Sequence, residues 1–153
     1  MTRLLGIDLG TRRIGLALAD TASGAILPLA TLRRGSVERD AGVLGQVVGE
    51  QQVNELVIGL PRNMDGSEGA QATETREWAA QVTPALGLPV HWRDERLTSE
   101  QAEARLGRPR RGAGGGPPSA AARASRRANV DREAARLILQ AELDARSLPG
   151  AGP

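Results

Sequence analysis

An aspartate set among apolar residues is costly unless something pairs with its charge, and Asp8 lies inside such a run, RLLGIDLG at 3–10. Two further acids hold comparable positions. Glu95 closes the apolar segment PVHWRDE at 89–95, and Asp131 stands at the start of VDREAARLIL, where the spacing predicts the beginning of the last helix. On a mixed sheet, carboxylates from strand ends and a neighbouring helix can converge on one edge. Their repulsion then demands a cation, and hard oxygen donors select Mg²⁺ or Mn²⁺. Each acid also has a plain structural reading. Asp8, two residues before Gly10, suits a turn. Arg93 and Arg96 flank the Asp94–Glu95 pair and offer ordinary surface pairing. Asp131 suits a first helical turn, which the helix dipole makes favourable for negative charge. Spacing along the chain does not unite the three.

The basic residues carry a second signal. All twenty are arginine, and nine of them fall between Arg105 and Arg136, where the only acids are Asp131 and Glu133. That stretch carries a net +7, whereas the remainder carries −5, from eleven arginines against sixteen acids. Arginine pairs bidentately with phosphate, so a basic segment on an otherwise acidic chain points to a phosphate-rich partner. Arg108, Arg110 and Arg111 sit in a Gly/Pro-rich loop at 107–118, while Arg123, Arg126 and Arg127 lie just before Asp131. A solvated loop is the bland alternative. A compositional preference for arginine accounts for the absence of lysine but not for the clustering.

Other chemistries are narrowed by what is scarce. Cysteine is absent, which removes disulfides, thiolate metal sites and a thiol nucleophile, and fits a reducing compartment. Two tryptophans are the only Phe, Tyr or Trp residues, so base stacking on aromatic platforms cannot carry nucleic-acid binding. The single histidine, His91, reads as a packed strand residue rather than a catalyst. No run approaches the roughly 20 apolar residues of a membrane span. A cytoplasmic protein without a membrane partner is the expectation, as monomer or homodimer.

The elements that must position these residues follow from periodicity. Two apolar runs at 3–10 and 12–20 meet at Gly10–Thr11, and the second alternates with Ile14, Leu16 and Leu18 on one face. The glycines from Gly10 to Gly15 suit a tight hairpin, and Thr11 stands at its tip. A third strand fits 27–33. Residues 36–52 have helical spacing, with Ser36 as N-cap and Val37, Leu44, Val47 and Val48 as the apolar stripe. LVIGLP at 56–61 reads as a strand buried on both faces, ended by Pro61. The loop RNMDGSEG follows, then a helix to about residue 86 and a strand at 89–95. Asp65-Gly66-Ser67 is either a turn and cap or the phosphate-binding approach to that helix. Thr98 and Gln101 form a capping box for a short helix to Leu106. The last helix has Val130, Ala134, Leu137, Ile138 and Ala141 at core spacing. Three meandering strands, followed by strands separated by helices, predict an α/β fold with a mixed five-stranded sheet and helices on both faces. A single domain over 1–147 with a frayed tail at 148–153 is expected.

The segments GIDLGTRRIGLALAD, GLPRNMDGSEGAQA, DERLTSEQAEARL and VDREAARLIL resemble, in order, the pattern of the YqgF/RuvX family, over nearly the whole chain from Arg3 to Leu143. The resemblance implies an RNase H-like fold akin to RuvC-type Holliday-junction resolvases. It also implies nuclease activity that matures the 5′ end of the small-subunit (16S) ribosomal RNA precursor. By it, Asp8, Glu95 and Asp131 are the catalytic acids that hold two metal ions, and Thr11 and Ser67 lean toward substrate contact. Asp94 and Glu133 are weaker candidates for a fourth acid, because strand alternation turns Asp94 away from Glu95. The 107–118 loop departs from the family in its Arg, Gly and Pro content, which leaves branched DNA open beside RNA. A non-catalytic RNA-binding role in ribosome assembly is the rival from another class. DLGT also resembles the first phosphate loop of actin-like ATPases and sugar kinases, but the expected second domain and second phosphate loop are not seen.

Overall fold

The computed structural model describes residues 2–94 and 119–147. β1 (Arg3–Leu9) and β2 (Arg13–Asp20) form an antiparallel hairpin, closed by a hydrogen bond from the Gly10 N–H to the Arg13 carbonyl at 2.8 Å. β3 (Ile26–Arg33) continues the meander as an edge strand. Pro28 is tolerated there because an edge strand can spare a donor, and the pairing slips beside it, between Leu16 and Ala17.

Helix α1 (Val37–Gln51) crosses back over the sheet to β4 (Glu55–Leu60), and α2 (Ala70–Leu86) crosses to β5 (Val90–Asp94). Both crossovers return parallel strands, giving the sheet order β3-β2-β1-β4-β5. The predicted five-stranded mixed sheet is thus the observed one. Ser36 caps α1 as expected, its Oγ accepting from the Arg39 N–H at 3.1 Å.

The two faces of the sheet are built differently. On one, Leu5, Ile7, Leu9, Ile14, Leu16, Leu56 and Ile58 pack against Leu44 of α1 and Trp78, Ala79 and Val82 of α2. Asp40 is buried at this seam and ties the helices together. It accepts from the Trp78 Nε1–H at 3.1 Å and from the Gly35 N–H at 2.9 Å. On the other face β1 and β2 present small residues, Gly6, Gly15, Ala17 and Ala19, and the last helix, α3 (Ala120–Ser147), lies directly on them.

Helix α3 corrects two expectations. It starts at Ala120, eleven residues before Asp131, so that acid lies mid-helix and draws nothing from a first-turn dipole. The segment AAARASRRANV has almost no apolar stripe, but alanine and arginine are strong intrinsic helix formers and propensity carries it. The buried stripe is also rotated. Ala134 and Ile138 are buried as predicted, with Ala135 and Leu139 in place of Leu137 and Ala141. The reason is Gly6: a Cβ there would stand 2.6 Å from Leu139 Cγ and 2.9 Å from the Ala135 carbonyl oxygen, so its absence seats that side of the helix. Glu95, the 98–106 helix, the 107–118 loop with Arg108, Arg110 and Arg111, and the 148–153 tail lie outside the described residues.

Candidate functional site

β1, β4 and β5 run in parallel, so their C-terminal ends share one edge of the sheet, and the β1–β2 hairpin and the 61–69 loop emerge there. Asp8 belongs to this edge. It pairs across the hairpin with Gly15, and the two therefore share the face that α3 covers. Gly15 is not a turn residue, as the sequence suggested, but a docking point. A Cβ at Gly15 would fall 2.6 Å from the Asp131 carbonyl carbon and 3.2 Å from the Asp131 Cβ. A side chain of any size at position 15 would push Asp131 away, and its absence seats the Asp131 backbone against β2 at the cross-strand partner of Asp8. Two of the three predicted acids, from opposite ends of the chain, thus stand over neighbouring strands on one face.

Arg13 completes this corner. Its Nε donates to Asp131 Oδ2 at 2.6 Å, with side-chain exposures of 33% and 19%. Sequence reading overlooked Arg13, although the alternation that placed Ile14, Leu16 and Leu18 on one face places residues 13, 15 and 17 on the other. Arg13 also pairs directly with Arg33 of β3, whose side chain is exposed. Among the described residues Arg33 meets no carboxylate. Arg123, Arg126 and Arg127 lie on the N-terminal part of α3, one to two turns before Asp131, and extend the basic surface along the helix.

Glu95 lies outside the described residues, while β5, the strand that leads to it, ends at Asp94 on the same edge. Among the described residues no group of three acids or histidines could hold a metal ion. Asp94 pairs with Leu60, on the α1/α2 face of the sheet. Glu133 is buried, bonds Arg136 at 2.8 Å, and cannot face the same way as Asp131 two residues earlier on a helix.

Thr11 is exposed at the hairpin tip. Arg34 braces that tip, donating from Nη1 to the Gly10 carbonyl at 3.1 Å and to Glu74 of α2 at 2.8 Å. Ser67 is exposed but engaged in its own turn, donating to Asp65 Oδ1 at 2.6 Å and accepting from Asn63 Nδ2 at 3.0 Å. The loop is fixed to α2 by Glu68, which takes a bidentate pair from Arg76 at 2.7 and 2.9 Å. That hydrogen-bonded pair holds the Glu68 carboxyl below the usual carboxylate range.

His91 lies in β5 as expected, but its side chain is partly exposed and held by a hydrogen bond rather than by packing. Its Nε2 lies 2.6 Å from Glu55 Oε1, within a network that joins the β4–β5 side of the sheet to the end of α3. Arg146 donates to Glu55 and to Glu142, both at 2.8 Å, and Arg93 donates to the buried Glu142 at 2.8 Å. The Arg146 hydrogen bond lowers the Glu55 pKa against the opposing effect of burial, with His91 adding to the lowering.

A five-stranded mixed sheet in this order, with two crossover helices on one face and a long helix on the other against an edge bearing acids, is the RNase H-like architecture. Residues 2–145 match the family model described as RuvX: Holliday junction resolvase, and the chain belongs to that family. A relative from Anaeromyxobacter sp. (strain Fw109-5) is 42% identical over 144 residues, covering 94% of this chain and 98% of the relative. One from Moorella thermoacetica (strain ATCC 39073 / JCM 9320) is 41% identical over 147 residues, covering 93% and 94%. Both are named as candidate pre-16S rRNA nucleases. Among solved structures, T. thermophilus RuvC in complex with a Holliday junction substrate superposes with a TM-score of 0.56 over 95% of this chain and 96% of that one. At 16% identity this likeness speaks for the fold alone.

Proposed function

We propose that this chain is a divalent-metal-dependent nuclease that hydrolyses phosphodiester bonds of structured nucleic acid, with the 5′ end of pre-16S rRNA in the cytoplasm as its substrate. One observation carries the reading: Asp8 and Asp131 are brought over neighbouring strands of one face by a glycine that leaves no room for a side chain. The names of the relatives supply the substrate. Charge placement supports it, since Arg33 lies across the strands from Arg13 and Arg123, Arg126 and Arg127 precede Asp131 on α3, all guanidinium groups suited to backbone phosphates.

The residues fit a hard cation. Aspartate oxygens are the donors that Mg²⁺ and Mn²⁺ prefer, and Asp131 already draws a cationic partner in Arg13. Asp8, Asp131 and Glu95 would hold the ions, which when bound supply the activated water and stabilise the leaving oxygen. The protein's own part is positional. Asp8 is fixed by the β1 ladder and Asp131 by the seating of α3. Arg123, Arg126 and Arg127, joined by Arg108, Arg110 and Arg111, neutralise phosphates of the bound strand. Thr11 at the hairpin tip and Ser67 in the 61–69 turn contact the same backbone. The chain acts as one domain over 1–147.

The test is a cleavage panel of pre-16S rRNA, single-stranded RNA and a four-way DNA junction, with Mg²⁺, Mn²⁺ or excess chelator. The expected result is metal-dependent cutting of the rRNA precursor that Asp8→Asn and Glu95→Gln each abolish while melting like the wild type. Cleavage that persists in chelator, or in Asp8→Asn, removes the mechanism. Cutting confined to the DNA junction transfers the substrate to branched DNA, the reading that the family description favours.

A further inference from the structure

The Arg13–Asp131 pair sits where the proposed metal would bind, and its construction is unusual for a structural tie. Arg13 is opposed across the strands by a second arginine, Arg33, and like charges directly opposite each other destabilise a sheet. Arg13 spends only its Nε on Asp131. Its two terminal Nη groups have no hydrogen-bond partner among the described residues. A residue placed only to tie β2 to α3 would gain from a forked contact and from a neutral neighbour. Arg13 has neither.

We infer that Arg13 is the internal counter-cation of Asp131, occupying the carboxylate in the metal-free protein and displaced from it when a divalent ion enters. The inference rests on the nuclease reading, in which Asp131 is a metal ligand. Without metal the guanidinium offsets the charge of Asp131 beside Asp8. With metal the same carboxylate is shared with the ion, and Arg13 is left beside Arg33, two guanidinium groups facing outward near the acids. Arg13 is therefore a positioning residue: it sets the metal concentration at which the site assembles.

Two measurements test this without relying on activity. In isothermal titration with Mn²⁺, Arg13→Gln should bind the ion about fivefold more tightly than wild type, which is the loss of a competing, partly exposed ion pair of about 1 kcal/mol. Arg13→Lys, which keeps the charge, should remain within about twofold of wild type, a difference of about 0.4 kcal/mol. In the unmodified protein, the Arg13 Nε–H resonance should show the slow exchange of a hydrogen-bonded proton without metal and lose that protection as Mg²⁺ is added. An Arg13→Gln variant that binds Mn²⁺ no more tightly than wild type overturns the inference. So does an Nε–H that stays protected at saturating Mg²⁺, a readout that needs no variant to fold. Asp131→Asn separates the two levels. If it lowers Mn²⁺ affinity while Arg13→Gln changes nothing, the nuclease reading stands and the counter-cation role falls. If Mn²⁺ affinity ignores Asp131 as well, both fall.

Discussion

Replacing Gly15 with alanine probes the contact on which the acid pair depends. The new Cβ would sit 2.6 Å from the Asp131 carbonyl carbon and 3.2 Å from the Asp131 Cβ. Carbon atoms pack best at about 3.5–4.0 Å, so the helix must lift by about 1 Å at Asp131. Backbone cannot swing aside as a flexible side chain can, and overpacking of this kind costs about 1–3 kcal/mol. For a chain of this size a loss of 2 kcal/mol lowers Tm by about 4–8 °C, which leaves the protein folded at 25 °C. The catalytic effect should be larger. A reactive group misplaced by 1 Å forfeits about a hundredfold in rate, and under the proposed function Asp131 is the group displaced. Gly6→Ala provides the comparison, because its Cβ meets Leu139 Cγ at 2.6 Å and the Ala135 carbonyl oxygen at 2.9 Å, further along the same helix. It should cost similar stability and less activity. Gly42→Ala, on the exposed side of α1 with nothing within 4 Å, should instead stabilise by about 1 kcal/mol. Urea unfolding and single-turnover cleavage of pre-16S rRNA in Mg²⁺ read both quantities. The reasoning fails if Gly15→Ala melts and cleaves like wild type, or if it loses no more activity than Gly6→Ala at equal loss of stability.

Three further outcomes follow from the same geometry. Arg126→Ala combined with Arg127→Ala should weaken nucleic-acid binding alike across sequences and flatten the salt dependence by about two phosphate contacts; a sequence-selective loss in fluorescence anisotropy would contradict it. Trp78→Phe removes the donor to Asp40 Oδ2 and leaves that oxygen buried, so denaturant titration should show a loss of about 1–3 kcal/mol. Glu55 has a folded-state pKa below its ordinary 4.5, so its contribution is fully present above pH 4.5 and lost as pH falls toward the lowered value. Glu55→Gln should therefore be less stable than wild type at neutral pH and converge with it on acidification, whereas a gap that widens below pH 4.5 would reverse the sign of the argument.

Periodicity made the sheet and its crossover helices legible, because large aliphatic residues at period two on β2 and in a continuous run on β4 leave few packings open. The α3 side was harder to read, and the reason is chemical. Its first eleven residues owe their helicity to alanine and arginine propensity rather than to a buried stripe, so apolar spacing placed the helix start at Asp131. The face on which it packs is marked by what is missing from the side chains, Gly6, Gly15, Ala17 and Ala19, and small residues leave no hydrophobic signal. Yet they are what the site requires. An aspartate carries its carboxylate on a single methylene, so two aspartates from different layers share one cation most readily where the layers approach closely. The sheet must give up its side chains where the helix carries its acid, and it does so at Gly15, the cross-strand partner of Asp8. Glycine in a strand interior weakens the strand, and that cost is offset by the contact it allows. An acid in an apolar strand whose antiparallel partner is glycine is thus a joint signature: the acid needs a counter-charge, and the glycine marks the side from which the α3 backbone brings Asp131.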